Sequence, residues 1–324
     1  MIWLSFLAQI QFSPEQASRT ASQVDLLFLC LVGITGSVTL VVAAVALFFL
    51  IKYRRTASAD RTPAKNSSLT VEVTWSVIPL AIFIILFGWG ARLYLHESEI
   101  PANATEIHVI GKQWMWKLEH LQGKREINEL HVPVGRTIKL LMTSQDVIHS
   151  FFIPGFRIKE DVLPGRYTTQ WFTPTRIGTY ELFCAQYCGT NHALMIGRVI
   201  VLDPTAFAEW LRRGEETVSV AQTGERLFRS FGCSGCHSPG ASVRAPLLQG
   251  IFNSPVPLQD GRIVRSDERY IRDSILLPNT EIVAGYDPVM PSFQGRLSEE
   301  ELFALITYIK SLGSSQQSST NAIH

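Results

Sequence analysis

The sequence predicts a multi-domain membrane protein: an N-terminal transmembrane α-helical hairpin, an all-β domain and a C-terminal all-α domain. Three observations predict it. Two long apolar runs lie near the N-terminus, short strand-like segments separated by turn residues fill the middle, and capped helical segments close the chain. The 324 residues suffice for two or three domains. Hydrophobic residues make up 46%, and the net charge of +1 gives no electrostatic case for nucleic acid as a partner. The expected limits are an external segment over 1–25, the hairpin over 26–95, the all-β domain over 96–213, a linker over 214–220, the all-α domain over 221–313 and a disordered tail over 314–324.

Leu26 to Ile51 is uncharged and apolar for 26 residues, against the roughly 20 that a spanning helix needs. A second run extends from about Trp75 to Leu95, with Pro79 expected in its first turn or two. The loop between them carries Lys52, Arg54, Arg55, Arg61 and Lys65, whereas the first 25 residues carry only Arg19. The positive-inside rule places the loop in the cytoplasm and both the N-terminus and everything after about residue 96 outside. The first twelve residues are apolar but lack a positive n-region; the remnant of a signal peptide is one reading of them, and cleavage stays open.

From Thr105 to Leu202 the period changes. Short segments rich in β-branched and aromatic residues alternate with Pro/Gly turns at Pro133-Val-Gly135, Pro154-Gly155 and Pro164-Gly165, which predicts a sandwich or barrel. Asp203-Pro204 then opens a short helix. Beyond the polar linker, Ala221 to Phe231 predicts one helix and Leu297 to Leu312 contains another, with Ser298 and Glu301 as a capping box. The tail is Ser/Gln-rich, hence the expectation of disorder.

The chemistry lies in two clusters. Cys184-Ala-Gln-Tyr-Cys188-Gly-Thr-Asn-His192-Ala-Leu-Met195 puts two thiols, an imidazole and a thioether into twelve residues. Soft sulfur with imidazole selects copper rather than magnesium or calcium, and there is one thiolate too many for a single blue-copper ion. His149, in Val-Ile-His149-Ser and expected between two strands, is the best further imidazole; His108, His120 and His131 are rivals in or beside strands. Zinc or a disulfide is the bland alternative, and Met195 argues against zinc. Cys233-Ser-Gly-Cys236-His237 is the c-type haem attachment motif, with His237 placed as an axial ligand. Met290, in a Pro-flanked loop and the only Met after Met195, is the second axial candidate.

The copper motif with its upstream Val-Ile-His-Ser resembles the dinuclear CuA site of cytochrome c oxidase subunit II over residues from about 17 to 203. The resemblance implies a cupredoxin-like all-β domain. Residues from about 221 to 312 resemble a small monohaem cytochrome c domain, whose helix start (Gly224, Phe228) crosses the C-terminal helix near Tyr308. Together they resemble the caa-type haem–copper oxidases. This resemblance implies two copper ions bridged by Cys184 and Cys188, with His149 and His192 as imidazole ligands. Met195 would supply a thioether and Gln186 a main-chain carbonyl. It also implies one covalent haem c. Many family members have Glu where this chain has Gln186. A neutral amide is a weaker ligand for a hard cation, which weakens the case for magnesium at the subunit I interface. Trp114, in Gln113-Trp114-Met-Trp116, maps to the residue where electrons enter CuA, and Glu72 to a carboxylate at the mouth of a proton path.

The implied role is to take electrons from an external donor, a cytochrome c or a quinol–cytochrome c reductase. They would pass through haem c and CuA to the haem of subunit I, where O2 is reduced to water with proton translocation. Subunits I and III and membrane lipid are the implied partners, and a bacterial plasma (inner) membrane the location. A CuA subunit of a nitric-oxide-type reductase and a membrane-anchored copper carrier are the alternatives; a quinol oxidase subunit II would lack the copper ligands.

Overall fold

The computed structural model describes residues 13–59, 68–213, 218–241 and 245–320, with side chains through 313. Arg61, Lys65, the first twelve residues and linker positions 214–217 therefore lie outside the described residues. The chain divides into two compact units, 1–102 and 103–324.

The first unit holds helices α1 (Ala21–Lys52) and α2 (Leu69–Ser98). At 1.5 Å per residue, 32 residues span about 48 Å, more than the roughly 30 Å hydrocarbon core. Both helices are long and apolar enough to cross a membrane. Hydroxyls within them bond backward along the helix: Thr35 to Leu31 O (2.8 Å) and Thr39 to Thr35 O (2.8 Å). Such bonds satisfy these hydroxyls without water. The helices extend beyond the apolar runs at both ends, because only the central part must be apolar. Pro79 is thus the eleventh residue of α2 rather than part of its opening turns, and the helix continues through it. The chain is membrane-anchored.

The second unit begins with ten strands: β1 (Thr105–Lys112), β2 (Met115–His120), β3 (Arg125–Ile127), β4 (Glu129–Pro133), β5 (Ile138–Ser144), β6 (His149–Ile153), β7 (Ile158–Val162), β8 (Thr168–Phe172), β9 (Gly178–Cys184) and β10 (Ile196–Leu202). They form two five-stranded sheets, β3-β2-β1-β5-β8 and β4-β10-β9-β6-β7, a cupredoxin-like sandwich. The β1–β5 and β4–β10 pairs are parallel and the others antiparallel. Alternation assigns the faces. Ile107 and Val109 of β1, with Ile138, Leu140 and Met142 of β5, are buried on one face. His149 opens β6 instead of lying between strands, because its backbone pairs with Val162.

Helix α3 (Pro204–Arg212) follows, capped by Asp203, whose carboxylate accepts from Thr205 N and Ala206 N. The helical module contains α4 (Val220–Ser230), the single turn α5 (Ser234–His237), a short hairpin of β11 (Pro255–Pro257) and β12 (Ile263–Arg265), α6 (Glu268–Leu276) and α7 (Glu299–Thr320). Ser298 and Glu301 form the capping box of α7. Helices α4 and α7 cross at Gly224, where a Cβ would lie 1.9 Å from Ala304 O. Phe228 and Tyr308 meet beside the crossing, ring centroids 5.4 Å apart. Helix α7 runs through Thr320. Its two glutamines are good helix formers, and elongation of an existing helix avoids the cost of nucleation.

The other face of β1 carries Glu106, His108 and Ile110, and all three are buried. They are covered by α6 and α7. Phe303 of α7 is 1% exposed, packs on Ile110 and Leu141, and stacks on His108 (4.3 Å) and Tyr167 (4.9 Å). Burying such a ring contributes about 1.5–3 kcal/mol. Ion pairs surround it. Lys310 reaches Glu106 (2.8 Å) and Glu268 (3.0 Å), and Lys139 reaches the same two carboxylates (2.8 Å each). Arg272 donates to Gly165 O (2.7 Å) and pairs with Glu299 (2.8 Å). Buried pairs of this kind fix one docking pose more than they add affinity.

Burial works against the charged form of Glu106, but the hydrogen bond from His108 and the Lys310 and Lys139 ammoniums prevail and hold its carboxyl well below the usual value. Glu268 is lowered by the same two lysines against its burial. Depressed carboxylates stabilise the fold above their unfolded-state values and cease to do so as pH falls through the folded ones. Lys139 is raised, its burial outweighed by Glu106 and Glu268, so its contribution persists through neutral pH and is lost only above the ordinary lysine range. The denaturant midpoint of the second unit, followed by circular dichroism, is therefore expected to be insensitive to these groups from pH 8 to about 5 and to drop below about pH 4.

Candidate metal centre

Strand β9 ends at Cys184 and β10 begins after Met195, so the loop between two paired strands carries all the local donors. Cys184 N donates to Met195 O (3.2 Å), which closes the loop on itself. Inside it, Cys184 Sγ lies 3.8 Å from Cys188 Sγ and 3.2 Å from Gln186 O. Cys188 Sγ lies 3.4 Å from His192 Nδ1 and 3.9 Å from Met195 Sδ. From β6, His149 brings Nδ1 to 3.9 Å from Cys184 Sγ. His149, Cys184 and Cys188 are buried, with donor atoms all within 4.8 Å of one another.

Burial would raise the Cys184 thiol, but hydrogen bonds from His149 and the Ser150 and Gln186 backbone bring it to about 6. Cys188 is pushed up to about 12 by burial and by the Cys184 charge beside it. The pair thus keeps one proton, which a bound cation would displace. Two thiolates, two imidazoles, a thioether and a carbonyl fit copper; hard cations demand oxygen ligands.

Supporting residues hold these donors. Asp146 accepts from His149 Nε2 (2.9 Å) and from Gln113 N (2.8 Å), which turns Nδ1 toward the sulfurs. Gln113 Nε2 (2.9 Å) and Trp114 Nε1 (3.1 Å) both donate to Cys188 O. Trp114 therefore lies against the copper loop, and Trp116 packs edge-on to His149 at 5.9 Å. A Cβ on Gly111 would lie 2.9 Å from His149 Cδ2. Gly111→Ala is expected to push the imidazole aside and lower copper affinity about tenfold, as loss of an outer-shell support does; competition with a copper chelator measures it. Asp146 was readable as a carboxylate three residues before His149. Gly111 had no signal, because its role depends on a strand contact across 38 positions. The rival imidazoles are engaged elsewhere. His108 stacks on Phe303, while His120 (2.8 Å) and His131 (2.5 Å) share Glu126. Glu72 lies in the first turn of α2, in the other unit.

In the helical module, Cys233, Cys236, His237 and Met290 line one cavity of about 230 Å³, walled by apolar side chains such as Ile271 and Leu305. The single turn α5 places the two thiols three residues apart. His237 Nδ1 is 2.8 Å from Pro246 O, which leaves Nε2 for a metal. Two thiols, an imidazole and a thioether around an apolar slot fit a covalently held haem.

Comparison with known proteins assigns both domains to families. Residues 124–203 match the family described as cytochrome c oxidase subunit II, periplasmic domain, and residues 221–313 match cytochrome c. Cytochrome c oxidase subunit 2 of Alkalihalophilus pseudofirmus is 29% identical over 293 residues, covering 85% of this chain and 83% of the relative. The probable cytochrome c oxidase subunit 2 of Rickettsia bellii is 30% identical over 240 residues, covering 67% and 87%. The crystal structure of the periplasmic domain of subunit II (CoxB) of Bradyrhizobium japonicum is 32% identical, covers 35% of this chain and 94% of that one, and has a TM-score of 0.34. Copper and haem c are the cofactors that these two domains imply. The chain belongs to the cytochrome c oxidase subunit II family and is the subunit of a haem–copper oxidase, with a cytochrome c domain at its C-terminal end in keeping with the caa type.

Proposed function

We propose that this subunit receives electrons from an external donor such as a cytochrome c and delivers them to subunit I, where O2 is reduced to water with proton translocation. When bound, a haem c and a pair of copper ions supply the one-electron redox chemistry. Cys233 and Cys236 would hold the haem covalently, and His237 and Met290 would supply ligands to its iron. Cys184, Cys188, His149, His192, Met195 and the Gln186 carbonyl would hold the copper pair. Trp114, which donates to Cys188 O, would be the route by which electrons reach this site from outside. Glu72 serves the mouth of a proton path into subunit I. The copper and haem domains, 96–213 and 221–313, lie on the periplasmic side of the plasma membrane, and subunit III completes the assembly.

One observation carries this reading: two cysteine sulfurs 3.8 Å apart, each with its own imidazole within 4 Å. A mononuclear blue-copper site takes only one thiolate, and Met195 Sδ, 3.9 Å from Cys188 Sγ, is not a zinc ligand. The test is to purify the full chain and measure metals and spectra. Two coppers per haem c with a delocalised mixed-valence EPR signal support it; one copper, or zinc, overturns it. Co-purification with a haem–copper subunit and O2 consumption then separate oxidase from nitric-oxide-type reductase.

A further inference from the structure

We propose that the haem-bearing module is also part of the copper site's framework, with Glu300 as a positioning residue that braces the loop carrying His149. The proposal rests on the assignment of His149 as a copper ligand.

The loop from Gln145 to Ile148 has little apolar anchorage of its own. Val147 and Ile148 are 38% and 44% exposed. What holds it is polar and comes from elsewhere. Glu300, in the first turn of α7, accepts from Gln145 Nε2 with both carboxylate oxygens (3.0 and 3.1 Å) and from Lys117 Nζ (2.8 Å). Gln145 N in turn donates to Gly111 O (3.0 Å). The residue after Gln145 is Asp146, whose carboxylate holds His149 Nε2 and Gln113 N. Gly111 is the residue whose backbone abuts the His149 ring.

Phe303 lies three positions after Glu300, on the same face of α7. It packs on Ile110, the residue before Gly111. One helix face of the haem-bearing module thus grips both segments that touch His149, through a carboxylate on one and an aromatic ring on the other. The imidazole is fixed from two sides by neighbours of residues that this module holds. Undocking, or loss of Glu300 alone, removes the two bonds on Gln145 Nε2 and leaves the loop held by the Gln113 and Gly111 backbone and by Ser144 beside it.

The test uses the full chain in detergent and three variants: Glu300→Ala, Glu300→Gln and the control Glu225→Ala, which removes an exposed carboxylate paired with Arg229 on α4. Hydrogen exchange of the metal-free protein over residues 144–150 is the first readout, and the EPR copper hyperfine pattern after loading is the second. Glu300→Ala is expected to speed exchange there about tenfold, the factor expected for one lost hydrogen bond, and to alter the hyperfine pattern. Glu300→Gln keeps an oxygen for Gln145 and is expected to restore most of the protection. Exchange over 144–150 unchanged in Glu300→Ala, or raised equally in Glu225→Ala, overturns the proposal, as does an unaltered hyperfine pattern. If the wild-type chain holds no copper pair, the copper assignment fails while the exchange measurement still decides the brace.

Discussion

Cys184→Ser is expected to abolish the paired-copper signal while leaving haem c in place. Cys184 is the more acidic of the two thiols, brought to about 6 against its burial by the His149 imidazole and backbone donors. It is the ready-made thiolate of the pair. A serine hydroxyl at the same position stays protonated and is a hard, weak donor, so the site loses the anion that binds the first cation and with it the means to displace the proton from Cys188. The expected copper content is one per chain or less. Donor-driven O2 consumption by the assembled oxidase is expected to fall by more than about a hundredfold, beyond the upper end of what an outer-shell substitution costs. The haem band should be unchanged, because Cys233, Cys236, His237 and Met290 lie in a separate cavity. Two coppers and a normal signal in this variant would sink the bridging role.

Gly224→Ala is expected to cost about 3 kcal/mol or more, the upper range for overpacking. The added methyl would stand 1.9 Å from Ala304 O and 2.6 Å from its carbonyl carbon, and the obstructing atoms are backbone, which cannot rotate away. Helices α4 and α7 would have to separate, with loss of the Phe228–Tyr308 contact and of the wall that closes the haem cavity. Thermal unfolding of the full chain should show the C-terminal module melting earlier, with reduced covalent haem incorporation on expression. Glycine at 235, where a Cβ meets nothing within 4 Å, is the control: Gly235→Ala should be near neutral.

Much of the site was legible because its parts are close in sequence. Cys184, Gln186, Cys188, His192 and Met195 fall on one loop between two strands, and Cys233, Cys236 and His237 on one helical turn. His149 required a motif, Val-Ile-His-Ser, since nothing local marks it. The helix crossing at Gly224 and Phe228 was expected only from the resemblance to small cytochromes c, since no local pattern says which helix a glycine will meet. What stayed hidden was the seam between the modules. Glu106, Lys139, Glu268 and Lys310 are scattered over two hundred positions, and β1 reads as an ordinary strand with one wet face. Polar Glu106 and His108 there signal solvent to any periodicity argument, and only the folded chain shows them paired and covered.

Strand β1 has almost no free side. One face belongs to the sandwich and the other to α6 and α7, so drift in its sequence must satisfy two cores at once. The outward set of Glu106, His108, Ile110 and, on β5, Lys139 acts as a private address for the module fused behind it. Grafting a haem domain from another chain onto this one would leave those four residues facing the wrong surface. Module and strand face are therefore units of inheritance that must be exchanged together, by recombination or by an engineer.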